Sequence, residues 1–281
     1  MSSANISVET GSALLVRSQN RPYIDSLLFD YFPSQYAPES GKSLVEVCQS
    51  YYCGCSDFLY HKLMQCALPK TYSGFYLDGY NTHCLLINCE GRFSASEFRK
   101  FVQLYLQNKI PASNFDYNQH EVLLGEVLSR VHIIPVFTDC ELLLALCCSR
   151  EVIKQHPVSC LIISSINAFT HLERLRYSSW KSLANQRSIL MSTLLRLIAD
   201  FQLLCVIILR YPLGVYAPSD SLGTDAFEIS YSNNLLCAET KSDDWSKYVT
   251  HKIELIDCEH SFVSYIKHDS NMKVVKDTRV S

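Results

Sequence analysis

Short runs of apolar residues alternate along the chain with longer segments of helical periodicity. The apolar runs lie at 44–48, 84–87, 131–134, 158–163 and 204–209, and apolar residues three and four positions apart mark helices at 56–68, 94–105, 139–148 and 187–201. Strands that are apolar at nearly every position are typical of a parallel sheet with both faces covered. The pattern therefore predicts an α/β fold with a mainly parallel sheet.

The alternation of apolar runs and helical segments ends after Tyr211, where a long loop rich in Ser, Asn, Pro and Gly begins. Alternating apolar and polar residues at 252–256 and 262–266 predict antiparallel strands at the edge of the sheet. No internal repeat or change of composition divides the chain. We expect an N-terminal arm or linker at 1–30, one core domain at 31–267 and a flexible tail at 268–281.

Composition and charge narrow the classes of function. The formal net charge is −3 and the pI is about 6.3, so the chain lacks the overall basic character that steers proteins towards nucleic acid. No apolar stretch approaches the roughly 18–20 residues that span a bilayer. The N-terminal segment lacks the basic and apolar regions of a secretory signal. We expect a chain that stays in the reducing interior of the cell, with any DNA contact local or provided by a partner.

The 13 cysteines could be buried thiols or metal ligands. In a reducing compartment, most are expected to be buried thiols. Zinc sites are marked by Cys-x2-Cys or Cys/His pairs, whereas the local pairs here are Cys53 with Cys55 and Cys147 with Cys148. The spacing does not fit, so the sequence predicts no metal site.

The turn between the first strand and the first helix is where a phosphate loop would lie. Its sequence at 49–56 is QSYYCGCS, against the pattern G-x-x-x-x-G-K-[ST]. Gly54 and Ser56 match the pattern, but Gln49 replaces the first glycine and Cys55 replaces the lysine. The loop is degenerate, and tight binding of a nucleoside triphosphate is not expected.

The fourth strand gives an independent test of nucleotide chemistry. An aspartate that holds Mg²⁺ would end the run at 158–163, but the next residue is Ser164. A serine hydroxyl is a weak ligand for a hard divalent cation. Since two separate positions have lost their charged groups, we expect no cofactor.

Several segments resemble one family. Residues 85–93 (LLINCEGRF) resemble the motif I-D-T-E-G-x-F, and residues 184–187 (ANQR) resemble A-x-R-Q. Residues 244–246 (DWS) and 251–255 (HKIEL) resemble its late W-S and R-x-x-L pattern. In order and spacing these segments are similar to the RecA-type recombinase paralogues, over roughly residues 9–267.

The resemblance implies a RecA-like three-layer core that forms hetero-oligomers with other recombinase paralogues. Such assemblies support homologous recombination repair of DNA damage in the nucleus. ATP and Mg²⁺ would be the family's cofactors. By the same resemblance, Glu90 takes the place of the glutamate that polarises the attacking water, as a vestigial catalytic residue. Gly54, Cys55 and Ser56 take phosphate-loop places, with Cys55 and Ser164 at the Walker A lysine and Walker B aspartate positions.

In this family the loops after the fourth and fifth strands face single-stranded DNA. The first loop here is either a basic and aromatic DNA-binding patch or an exposed helix face. The residues of the candidate patch are Arg174, Arg176, Tyr177, Trp180 and Lys181. The second loop, at 210–244, has two basic residues against six acidic ones, so it should repel phosphate.

Three functions remain open from the sequence. The first is a non-catalytic subunit that binds recombinase paralogues, contacting single-stranded or branched DNA through the complex. The second is a paralogue of the same complex that binds ATP weakly as a DNA-stimulated ATPase. The third is a thiol enzyme that uses Cys53 or Cys55, because a helix N-terminus lowers the pKa of a nearby thiol.

Overall fold

The computed structural model describes residues 22, 24–50, 55–89, 91–111, 117–169, 180–211, 247–255, 262–268 and 271–278. In the segments 50–56, 112–117, 180–183 and at 211, 268 and 271, side chains are not described. Within these ranges the structure contains no helix that is long and apolar enough to cross a bilayer.

One large sheet organises the described residues. Its strands stand in the order β10-β9-β8-β1-β7-β6-β4-β5. Their bounds are β1 Leu44–Ser50, β4 His83–Asn88, β5 Val131–Pro135, β6 Val158–Ser164, β7 Leu204–Tyr211, β8 His251–Leu255, β9 Phe262–His268 and β10 Asn271–Asp277. A two-stranded hairpin, β2 Thr71–Tyr72 with β3 Phe75–Tyr76, lies outside this sheet. The predicted α/β class with a mainly parallel sheet is confirmed.

Helices cover both faces of the sheet. They are α1 Cys55–Ala67, α2 Ala95–Lys109, α3 Tyr117–Ser129, α4 Asp139–Gln155 and α5 Trp180–Phe201, and two 3-10 turns, Asp25–Leu28 and Ser34–Tyr36, precede β1. α1, α2 and α3 contribute to one buried cluster with Val47, Leu86 and Ile162, and α4 and α5 contribute to a second with Cys48, Ile87 and Ile163.

The strand order explains why the helices divide in this way. From β1 the chain moves across the sheet to β4 and then to the edge strand β5, and it returns through β6 to β7. Parallel crossovers are right-handed, so connections in opposite directions put their helices on opposite faces. β4 and β6 are neighbours whose outgoing connections leave to opposite faces, which is the arrangement that opens a crevice at the carboxyl ends of the strands.

Local sequence signals fix the helix starts. The Ser94 hydroxyl accepts a hydrogen bond from the Glu97 amide (3.4 Å), as the predicted capping box requires. The reciprocal bond is replaced by a relay: the Ser94 amide donates to the Tyr60 hydroxyl, which donates to the Glu97 carboxylate (3.3 and 3.2 Å). This relay ties α2 to α1. Pro135 ends the edge strand β5, as its lack of an N–H predicts.

The strand at 251–255 differs from its prediction. β8 is parallel to β1 and lies inside the sheet, and the antiparallel pairing starts only between β8 and β9. Alternation of apolar and polar residues identifies a strand without giving its direction. Because a long connection separates β7 from β8, the chain can return and run in the same direction as β1.

Residues on both sides of the predicted core domain pack onto it. Ile24, Leu27 and Leu28 were expected in an N-terminal arm, but they are fully buried in the α1-side core. The Lys62 ammonium donates to the Leu27 carbonyl (2.9 Å) and holds this turn in place. Residues 271–277 were expected in a flexible tail, but they form the edge strand β10 against β9. Charged side chains such as its lysines are common on edge strands because they block further pairing.

Candidate functional site

The carboxyl edge of the central strands is the place where the fold would hold a ligand. Asn88 ends β4 beside Ser164, which ends β6. Gln49 near the end of β1 lies opposite Arg210 of β7. All four side chains are at least nine-tenths buried. They lie two residues beyond apolar residues of the α1-side core, so by strand alternation they face the same side of the sheet as α1.

Hydrogen bonds hold this edge in one arrangement. The Asn167 amide donates to the Arg210 carbonyl (2.8 Å), and the Arg210 N–H donates back to Asn167 Oδ1 (3.2 Å). The Ser165 hydroxyl donates to the same Oδ1 (2.5 Å). The Cys89 N–H donates to the Ser164 carbonyl (2.6 Å). The turn after β6 is therefore fastened to both neighbouring strands.

The charge of the crevice decides its chemistry. Asn88 and Ser164, which end the two strands on either side of the crevice, are both neutral. A hard cation such as Mg²⁺ is held in proteins mainly by carboxylate oxygens. An amide and a hydroxyl can orient a polar group by hydrogen bonds, but they do not balance the charge of a divalent ion. These two residues therefore do not fit Mg²⁺.

Two further groups give the edge its polarity. Gln49 is 1 % exposed, and its side-chain oxygen has no hydrogen-bond partner among the described atoms. Arg210 is 5 % exposed and carries a positive charge at the same edge. A buried guanidinium favours anionic or carbonyl groups. The edge is thus polar and partly cationic on the side that faces α1.

The structure locates part of the predicted phosphate loop. Cys55 and Ser56 form the first turn of α1, immediately after the carboxyl edge of β1. Gly54 and Glu90 lie outside the described residues, although their neighbours Cys55, Cys89 and Gly91 are described. The helix thus begins at the position in the chain where a phosphate loop would end, while the geometry of the loop and of the candidate catalytic carboxylate stays a prediction.

The DNA-binding candidates are located only in part. Trp180 and Lys181 lie in the first turn of α5, where the backbone is described. Arg174, Arg176 and Tyr177 lie outside the described residues, so a basic and aromatic patch stays a prediction.

The segment at 184–187, which resembles a family motif, joins two helices on the α4 and α5 side. The Gln186 amide donates to the carboxylate of Asp139 (2.8 Å), the first residue of α4. Asp139 and Arg187 are both buried. The segment therefore positions α5 against the start of α4, close to the carboxyl edge of the sheet.

An exposed apolar stripe runs along α4 and the residue that precedes its cap. Phe137 and Leu144 are 64 % and 60 % exposed. Cys140, Cys147 and Cys148 are exposed as well, and the spacing of these five residues places them on one side of the helix. We call this set the α4 stripe. Apolar surface of this kind, left uncovered in the single chain, is typical of a protein–protein contact.

The described thiols are reduced and mostly buried. Cys48, Cys66, Cys84, Cys89, Cys160 and Cys205 are buried, and none of the nine described cysteines forms a disulfide. Burial raises the pKa of Cys205, and burial together with Glu46 raises that of Cys48. Such thiols are poor nucleophiles at neutral pH. Cys53 and the side chain of Cys55, the candidates for thiol catalysis, lie outside the described residues.

A group of three histidines was missed by the sequence motifs. His83, His132 and His156 come together at the amino edge of the sheet, opposite the crevice. They are far apart in the chain and follow no ligand spacing. Each lies at or next to the start of a parallel strand, and parallel strands start at the same edge. That shared position is the signal that could have found them.

Comparisons with known proteins give no relative: no protein-family model matches the chain, and no characterised protein matches it significantly.

Proposed function

We propose that this chain is a non-catalytic, RecA-like subunit that assembles with other recombinase paralogues and supports homologous recombination repair of DNA in the nucleus. Two kinds of observation support the proposal. The family-like segments follow one another in order along the chain, and the structure is an α/β fold with a mainly parallel sheet in which α1 follows the interior strand β1.

The observation that carries the non-catalytic part is the neutral pair Asn88 and Ser164. In a nucleoside triphosphatase of this type, a carboxylate at the end of β6 would help to hold Mg²⁺. Here that position is a buried hydroxyl beside a buried amide. Since Cys55 also replaces the phosphate-binding lysine, neither the triphosphate nor its metal has its usual charged partner. The function is then carried by binding other proteins.

The α4 stripe supports the assembly part. Exposed leucine, phenylalanine and cysteine side chains on one helix face would be covered by a partner's apolar surface. The net charge of −3 disfavours direct binding to the nucleic-acid backbone. Contact with single-stranded or branched DNA is therefore made through the assembly.

A matched pair of substitutions tests the partner surface. Leu144→Glu puts a charge into the stripe, and Leu104→Glu puts the same charge on α2, on the opposite side of the sheet, where the leucine is 59 % exposed. Both leucines are exposed, so either change should alter stability by no more than about 0.5 kcal/mol. We expect Leu144→Glu to abolish co-purification of the recombinase paralogue partner and Leu104→Glu to retain it.

Thermal unfolding and circular dichroism of both variants control for misfolding. Equal retention of the partner by both variants would remove the α4 stripe from the interface. Equal loss by both, with normal folding, would show that the test does not discriminate surfaces and would also count against the stripe.

Residual ATP binding is a second candidate, and one observation favours it. Arg210 carries positive charge at the carboxyl edge of β7, and α1 follows the neighbouring strand β1, so an anion at this edge could use the guanidinium together with the helix N-terminus. A thermal titration with Mg-ATP separates the two candidates. A ligand at 100 times its Kd stabilises the native state by about 2.7 kcal/mol, which is a rise in Tm of roughly 5–10 °C for a chain of this size. The non-catalytic proposal expects no rise, and a saturable rise for the isolated chain would favour the ATP-binding candidate.

A further inference from the structure

The amino edge of the sheet brings three imidazoles into contact. His83 is the first residue of β4, His132 is the second of β5, and His156 caps the end of α4 just before β6. β4 lies between β5 and β6 in the sheet. Two adjacent strands and the turn that leads into a third thus each contribute one histidine, from positions separated by 49 and 24 residues.

The side chains are stacked with their nitrogens close together. His83 Nδ1 lies 2.9 Å from His132 Nε2. The rings of His132 and His156 are 4.2 Å apart, and those of His83 and His156 are 5.3 Å apart. One ring nitrogen from each residue can be chosen so that all three lie within 4.8 Å of one another.

These separations between ring nitrogens are similar to those between the histidine nitrogens that bind one metal ion. Zn²⁺ bonds to imidazole nitrogen at about 2.0–2.1 Å in tetrahedral geometry, which puts the ligand nitrogens about 3.4 Å apart. To bind the ion, the 2.9 Å pair would open slightly, and the longer distances, which reach at most 4.8 Å, would shorten by up to about 1.4 Å. The stacked rings would also rotate so that their in-plane lone pairs point at the ion. All three residues are partly exposed, so water can supply the fourth ligand.

We propose that His83, His132 and His156 form a binding site for a zinc-class divalent metal ion, with three imidazole ligands and one position open to water. The ligand set excludes the hard cations, because Mg²⁺ and Ca²⁺ are held by oxygen atoms. Imidazole suits zinc, copper and nickel. The ion would join the amino ends of β4 and β5 to the turn between α4 and β6.

The surroundings have one feature that opposes a cation. Arg130 lies near His83, but its guanidinium donates to the Ala67 carbonyl (3.1 Å) and to the Glu126 carboxylate (3.3 Å), which offsets its charge.

The site is separate from the carboxyl crevice. β6 has 7 residues, and a strand rises about 3.3 Å per residue, so the two edges are roughly 20 Å apart. The metal proposal therefore stands independently of the proposed role in recombination repair.

Titration of the full-length chain with zinc chloride tests the site. Isothermal calorimetry and native mass spectrometry should find one ion per chain, and Tm should rise by about 5 °C or more when zinc exceeds its Kd about 100-fold. His132→Asn should weaken zinc binding at least about 100-fold, since even changes behind the ligands cost 10–100-fold. His61→Asn, a change in α1 outside the group, is the matched control and should bind as the unchanged chain does.

The cysteines are the competing ligands. His83→Gln serves as a second ligand variant, and circular dichroism establishes that each variant is folded. Zinc binding that survives in folded His132→Asn and His83→Gln, or that disappears only when thiols are alkylated, would overturn the site. Loss of binding in both ligand variants with retention in His61→Asn would establish it.

Discussion

Lowering the pH should destabilise the protein through His251, because this residue is held neutral in the fold. His251 starts β8, and its ring packs edge-on against Phe32 with centroids 5.1 Å apart. Its Nε2–H donates to the Tyr36 carbonyl (3.2 Å), and Nδ1 lies 2.8 Å from the Thr250 hydroxyl. Burial lowers the pKa from 6.5 to about 4, although the Tyr36 carbonyl and the charge of Glu39 act in the opposite direction.

Whether stability rises or falls with pH depends on which state, folded or unfolded, binds the proton more readily. A histidine with a lowered pKa in the folded state is protonated first in the unfolded chain, so its contribution to stability is present above pH 6.5 and is lost as the pH falls towards 4. The full difference in pKa corresponds to about 3 kcal/mol. Between pH 7 and pH 5 the expected loss is about 1–2 kcal/mol, since the ring keeps some contact with water that screens its charge.

Urea unfolding of the unchanged chain and of His251→Asn, each at pH 7 and pH 5, measures this effect. The other histidines are present in both proteins, so the difference between the two pH dependences isolates His251. We expect the free energy of unfolding of the unchanged chain to fall by about 1–2 kcal/mol more than that of the variant. Equal losses in both proteins would refute the buried, neutral state of His251 and the packing of β8 against the 3-10 turns.

Three further predictions follow from burial. Ile162→Ala in the central strand β6 should lower the free energy of unfolding by about 2–5 kcal/mol, and Ile133→Ala, 38 % exposed on the edge strand, by about 1 kcal/mol or less, as urea unfolding can check. Leu28→Ala should lower the free energy of unfolding by about 2–5 kcal/mol, whereas Phe29→Ala, 43 % exposed, should lower it by about 1 kcal/mol or less. Equal losses would show that this segment is an arm outside the core. The exposed Cys147 should react quickly with iodoacetamide in the isolated chain and slowly in the assembly, and unchanged labelling would separate it from the interface.

The parallel strands could be predicted because burial on both faces leaves a direct mark on the sequence. β4, β6 and β7 are apolar at most positions, and the structure places all three inside the sheet, with a neighbouring strand on each side. The start of α2 was also predictable, since Ser94 and Glu97 have the spacing of a cap. These are local signals that need no knowledge of the rest of the chain.

Features that depend on distant partners could not be predicted. α3 went undetected because its segment, YNQHEVLLGEVLS, begins with polar residues and contains Gly125. Its fully buried apolar residues are Leu123, Leu124 and Val127. The direction of β8 depends on how the chain returns to β1. The burial of Leu28 depends on α1, whose Lys62 holds the turn.

The candidate sites likewise contain features that could be predicted from local sequence and features that depend on distant residues. Ser164 could be placed at the end of a strand from the apolar run before it, and the structure puts it there. Its pairing with Asn88 could not be read from the sequence, because β4 and β6 are about 70 residues apart and become neighbours only through the strand order. The histidine group depends on three such neighbours, and no local motif marks it.

The third candidate function, a thiol enzyme, is also tested by alkylation of the cysteines. A thiol enzyme using Cys53 or Cys55 requires rapid, selective alkylation of one of them at neutral pH, since the thiolate is the nucleophile. We expect no such selectivity at these two positions. Peptide mapping after brief iodoacetamide treatment gives the answer, and a single fast-reacting cysteine at position 53 or 55 would favour the enzyme.

The central claim is that this chain acts by assembling with recombinase paralogues. Affinity purification of the tagged full-length chain from its own cells, followed by quantitative mass spectrometry, tests that claim most directly. We predict that at least one RecA-type recombinase paralogue is recovered in near-equal amount with the chain. Recovery of the chain without any such protein, under conditions that preserve other nuclear assemblies, would contradict the account.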